Sequence, residues 1–168
     1  MARFDVDKKQ LVVAMDHGRA MGAVAGLEDP GRVIETVIEA GADAIMTSFG
    51  VIKRYRQRLI GRVPTILRID GGPSLFREDW LRNSEWSLLH SFEDAQELDV
   101  DGICTMVFVG AECELETLEI TAEIAGQCLA AGLPLMVEAL PCPCERIADP
   151  TSADALASAC RIGFEHGA

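Results

Sequence analysis

No stretch of this sequence is apolar for long enough to cross a bilayer. The opening residues, MARFDVDKK, carry charge and are not followed by the apolar run and cleavage site of a signal peptide. A cytoplasmic protein without a membrane partner is expected. Positive charge is scarce: 15 Lys and Arg stand against 27 Asp and Glu, a net charge of −12. A general nucleic-acid binder needs a basic surface to displace counterions, so no nucleic-acid partner is expected. A locally basic pocket for a phosphate ester remains compatible with that balance. Also missing is G-x-G-x-x-G directly after the first apolar run. The sequence there is DHGRAMGAVAG, with the wrong spacing for a dinucleotide-binding turn. A disulfide framework is not expected either. Most of the six cysteines (Cys104, Cys113, Cys128, Cys142, Cys144 and Cys160) sit in apolar periodic segments, where a thiol behaves as a small hydrophobe.

What the chain does have is a recurring unit, first seen at Leu11–Gly18, LVVAMDHG. Five apolar residues run without a break and stop at an acid, an imidazole and a glycine. This is the pattern of a strand buried on both faces. Strand one is read as Leu11–Met15, followed by a Gly-rich loop. Pro30 suits a helix start, with an apolar stripe of Val33, Val37 and Ile38, ending at Ala40-Gly41. Strand two is Asp43–Thr47, the second helix Ser48–Arg58, and strand three Pro64–Ile69. Residues 74–89 are irregular and hold Trp80 and Trp86, read as packing the loop onto the body of the fold. The third helix is Phe92–Leu98 and strand four Gly102–Phe108. The fourth helix runs from about Glu112 to Ala131, and its acidic run ECELETLE reads as a solvated face. Strand five is Leu135–Ala139. A cap region of Pro150, Thr151 and Ser152 opens a fifth helix reaching about Glu165.

One hinge returns four times: EAGADAIM, ELDVDGIC, AAGLPLMV and EHGA. Three times a helix ends and an apolar strand begins within a few residues. This is an internal βα repeat, and alternating strands and helices imply a parallel sheet. Polar residues close several strands: Asp16, Ser48, Asp70 and Glu138. Chemistry drawn from many strand ends is the habit of a barrel. The predicted fold class is therefore α/β, a partial (β/α)8 TIM barrel. A complete barrel takes ~250 residues, and this chain supplies about five βα units. The expectation is a single incomplete domain over residues 1–168, with strands six to eight missing.

Several blocks carry a resemblance. LVVAMDHGRAMG, ADAIMTSFGVIKRY, PTILRIDGG and LPLMVEALPCP resemble, in order, blocks of the archaeal-type class I aldolases, the superfamily of fructose-bisphosphate and tagatose-bisphosphate aldolases. The resemblance implies a barrel lyase that uses a lysine Schiff base on a phosphorylated keto sugar, without a cofactor, and commonly as a homo-oligomer at full length. The iminium serves as electron sink while a neighbouring acid or base moves protons. In that family the lysine ends strand six. Here the three lysines are Lys8, Lys9 and Lys53, and none is at a strand end. The nucleophile is expected beyond residue 168, which would leave this stretch inactive by itself.

The resemblance assigns Asp16 to substrate orientation and proton transfer, and Glu138 to a proton shuttle as in the tagatose-bisphosphate branch. His17 could donate a hydrogen bond to a substrate oxygen or serve as a structural loop residue. Arg68 and Asp70 flank the end of strand three. Arg68 is positioned either to hold a phosphate and orient Glu138 or to make an ion pair across the barrel. Ser48 is a substrate contact or a helix N-cap. Cys142 and Cys144 form C-P-C, too few ligands for a metal site, so no metal is expected. The alternatives are a transferase or thiolase on the same barrel, a metal-dependent barrel enzyme using Asp16, His17 and Cys142, and a non-catalytic fragment.

Overall fold

The computed structural model describes residues 8–77 and 85–168. The expectation placed on Trp80 lies outside them. The elements run β1 (Val12–Ala14), α1 (Gly18–Met21), α2 (Pro30–Glu39), β2 (Ala44–Ser48), α3 (Phe49–Leu59), β3 (Thr65–Arg68), β4 (Asp70–Gly71), β5 (Ser87–Leu88), α4 (Phe92–Leu98), β6 (Gly102–Val109), α5 (Glu114–Ala131), β7 (Leu135–Pro141) and α6 (Ala153–Glu165). Five strands form one parallel sheet in the order β1-β2-β3-β6-β7. Each predicted strand and helix is present, within a few residues of its expected ends.

Two features differ from the expectation. The Gly-rich loop after β1 contains the single-turn helix α1. The irregular stretch contains β5, which pairs antiparallel with β4 through Asp70↔Leu88 and Gly71↔Ser87. Strands of two residues are too short to show alternation in a sequence. The longest ladder, β6 with β7, runs from Ile103↔Leu135 to Val109↔Pro141. It carries β7 past Ala139, so Glu138 lies inside its strand rather than at the end.

The hinges have one conformational basis. Gly41, Gly132 and Gly167 have φ of 86°, 65° and 112°, and Asp99 takes the same left-handed region at 59°. A left-handed residue ends an α-helix and turns the chain back toward the next strand, at least cost for glycine. Asp99 closes α4, whose other end is a capping box: Ser91 Oγ accepts from Asp94 N–H, and the Asp94 carboxylate accepts from Ser91 N–H. At α2, Asp29 caps the helix and Pro30 opens it. At α6, Ser152 Oγ accepts from Ala155 N–H at 3.3 Å.

The main core lies between the sheet and its helices. Ile45, Leu67, Ile69 and Ile103 pack against Ile34, Ile52, Leu59, Ala95, Leu98, Ile124 and Cys128. The stripe on α2 centres on Ile34, which is fully buried, with Val33, Val37 and Ile38 flanking it. On α5 the inward face is Thr117, Thr121, Ile124 and Cys128, while Glu116, Glu119 and Glu123 are exposed. The opposite face of the sheet holds a smaller apolar floor of Ala44, Met46, Ile66 and Cys104, with Val12 and Met136 beside it.

Candidate functional site

Above that floor stands Arg68, the last residue of β3 and 1% exposed. The strand register aligns Ser48, Arg68, Cys104 and Met136 across β2, β3, β6 and β7. A buried guanidinium needs partners, and three acids supply them. Nε donates to Asp16 Oδ2 at 3.1 Å, Nη2 pairs with Glu138, and Nη1 lies 3.6 Å from Asp70 Oδ1. Asp16 follows β1 and Glu138 belongs to β7, the two ends of the sheet. In a flat sheet four gaps of about 4.8 Å would part those strands by roughly 19 Å. One side chain on the middle strand reaches both because the sheet is curled.

Exposure separates the acids. Asp70 is fully buried, the Asp16 side chain is 15% exposed and that of Glu138 is 37% exposed. Asp70 Oδ2 accepts from Trp86 Nε1–H at 2.8 Å and from Met106 N–H at 2.7 Å. Burial holds the Asp70 carboxyl above its ordinary value, against the opposing pull of Arg68 and of these two donors. Burial works to lower the Arg68 pKa, but Cys104, Asp70, Glu138 and Asp16 outweigh it, and the guanidinium is held more firmly protonated. Burial pushes the Cys104 thiol up, well away from thiolate formation at neutral pH. Burial likewise carries the Cys113 and Cys128 thiols to about 11. These three are therefore poor nucleophiles.

The remaining predicted residues stand apart from this cluster. His17 is exposed at the start of α1, where its carbonyl accepts from Ala20 and Met21 N–H. Ser48 occupies the N-cap position of α3, but its hydroxyl makes no capping bond. It lines a crevice of about 280 Å³ with Met15, Gly18, Arg19, Leu27 and Val51. Cys142 is buried and Cys144 exposed. Among the described residues no three His, Cys, Asp or Glu side chains gather where they could hold a metal ion. The Asp16, His17 and Cys142 metal set is thus not assembled. Two residues that the strand-end argument does not select also border the cluster. Arg19 lies with its guanidinium 5.3 Å above the Trp86 ring, and Trp86 packs edge-on against Phe108, with centroids 4.7 Å apart.

Residues 10–168 match the family model described as DeoC/LacD family aldolase. This chain belongs to that family. The chain is 26% identical over 147 residues to an uncharacterized aldolase of Saccharolobus solfataricus, covering 83% of this chain and 54% of that protein. It is 26% identical over 165 residues to fructose-bisphosphate aldolase class 1 of Thermoproteus tenax, covering 95% and 60%. Among solved structures it resembles an archaeal fructose-1,6-bisphosphate aldolase whose catalytic lysine is covalently bound to the carbinolamine intermediate. The TM-score there is 0.82 at 25% identity, over 95% of this chain and 62% of that one. The chain thus spans 54–62% of the length of these relatives. The curled five-stranded sheet agrees with the fold of these aldolase barrels.

Proposed function

We propose that this chain is the first part of a Schiff-base aldolase that makes or breaks a carbon–carbon bond in a phosphorylated keto sugar. In such a reaction a lysine amine adds to the substrate carbonyl, and the carbinolamine loses water to give an iminium. Cleavage sends the bonding electron pair into the iminium, while a base removes the proton of the hydroxyl that becomes the aldehyde. Asp16 and Glu138 are the groups proposed to orient substrate and carry protons. Arg68 and Asp70 set their geometry, and His17 and Ser48 offer hydrogen bonds from the rim. The single observation that supports this reading is the convergence of Asp16 and Glu138, from opposite ends of the sheet, on one guanidinium at a half-open mouth.

The nucleophile is not supplied from a strand end of this stretch. Lys8 and Lys9 precede β1, and Lys53 is exposed on α3. We assign the lysine, the phosphate-binding loops and the three strands that close the barrel to sequence beyond residue 168. A cytoplasmic homo-oligomer acting on a sugar phosphate completes the reading. Borohydride reduction in the presence of dihydroxyacetone phosphate, followed by mass spectrometry, tests it. The protein extended to the length of its relatives should acquire one reduced adduct, and residues 1–168 alone should acquire none. An adduct on Lys8, Lys9 or Lys53, or no adduct on the extended protein, would overturn the proposal.

A further inference from the structure

Asp70 makes both of its hydrogen bonds through one oxygen. Oδ2 takes the Trp86 indole N–H and the Met106 amide N–H. Oδ1 faces Arg68 Nη1 at 3.6 Å, beyond hydrogen-bond distance, and among the described residues neither atom has a hydrogen-bond partner. Arginine and carboxylate prefer a fork-to-fork pair with two parallel N–H···O bonds. Here that pair is not made. Two donors from different elements, the segment before β5 and the backbone of β6, hold the carboxylate in one rotation. Each guanidinium nitrogen consequently faces a different acid: Nε faces Asp16, Nη1 faces Asp70 and Nη2 faces Glu138.

Trp86 is braced independently of its N–H. Its ring meets Phe108 at 73° and carries the Arg19 guanidinium on its face. It also lies so close to Gly72 that a Cβ there would come within 2.7 Å of the ring. A ring seated this firmly aims its donor at a fixed point.

We propose that Trp86 is a positioning residue of the site. Its N–H keeps Asp70 from turning into a fork-to-fork pair with Arg68, and so leaves Nε and Nη2 for Asp16 and Glu138. That this aim serves catalysis rests on the aldolase reading above; the positioning itself does not. Side-chain NMR of ¹⁵N-labelled residues 1–168 tests it without any activity. Trp86→Phe keeps the ring and its braces and removes the donor. It should move the Arg68 Nε–H resonance by more than its line width and speed that proton's exchange at least tenfold. Trp86→His, which restores a ring N–H, should return the resonance toward its original position. Lys53→Gln, on the outer side of α3, should leave it unmoved. An unshifted Arg68 resonance in a folded Trp86→Phe protein would overturn the proposal. If Trp86→Phe does not fold, exchange of the Trp86 indole proton in the unaltered chain decides: slow exchange supports the bond to Asp70, and exchange at the rate of a free indole refutes it. The aldolase reading fails or stands separately, by borohydride trapping.

Discussion

The two faces of the sheet are built from alternate residues of the same strands, yet they solve opposite problems. On the helix side, Ile45, Leu67, Ile69 and Ile103 meet apolar side chains from four helices. On the concave side, a thin floor of Ala44, Met46, Ile66 and Cys104 gives way to one arginine and three acids. The helix side gains stability from each apolar group removed from water, at about 25 cal/mol per Å². The concave side gains little net stability, because desolvating charges offsets much of their attraction. A single residue of register slip would exchange the two faces. The sequence therefore has to mark the faces strongly, and it does so through the helix-facing isoleucines and leucines.

The contrast can be attacked from either side. In the protein extended to the length of its relatives, Glu138→Gln should lower turnover by roughly 10²–10⁴-fold, the range for a lost proton-transfer group, while a stability measurement hardly changes. Equal loss of stability and activity would erase the distinction between the faces. Arg68→Met should cost about 3–5 kcal/mol in urea unfolding, because it strands buried Asp70 without its cation. Restoring balance with Arg68→Met and Asp70→Asn together should recover part of that loss. On the helix side Leu67→Ala should cost about 2–5 kcal/mol by leaving a cavity, with no recovery available from a second polar change.

A pH series sharpens the same comparison. Burial raises the Asp70 pKa above its ordinary 3.8, so the folded state binds this proton at higher pH than the unfolded chain does. The contribution of Asp70 is most favourable below about pH 4 and is lost as pH rises through its raised value. Asp70→Asn should flatten that part of the stability curve, and an unchanged slope would locate the titration elsewhere. The smallest effect belongs to the helix side. Ser91→Ala removes the capping oxygen of α4 and should cost about 1 kcal/mol, read as a lower thermal midpoint.

Much of the scaffold was legible because its signals are local. Each hinge ends a helix at a residue in the positive-φ region, and three of the four are followed by an apolar run. Pro30 and Ser152 mark helix starts by their own chemistry. Asp16 and Glu138 were singled out as polar residues closing their strands; both reach Arg68, although Glu138 lies inside β7 and not at its end. Other features depended on long-range contact. The pairing of Arg68 with Glu138, 70 residues on, was one of the two readings of that arginine, but nothing in PTILRI says that its Nε also reaches Asp16, 52 residues back. The β4–β5 pair has no periodicity to detect. Trp86 could be assigned to packing by its size, but its N–H finds Asp70 only through that pair. Ser48 shows the converse error: a residue type suited to capping holds the N-cap position and leaves its hydroxyl out of the helix.

Arg68 occupies the third of five strands, with two on either side. It works as the central stone of an arch, and straightening the span would mean pulling Asp16 and Glu138 off it in opposite directions. Since the guanidinium is buried and buried charges are screened less than exposed ones, the bow of the sheet should respond to salt less than the surface ion pairs do, and most of what response there is should come from the Glu138 side. Replacing that one side chain would relax the bow from its centre outward.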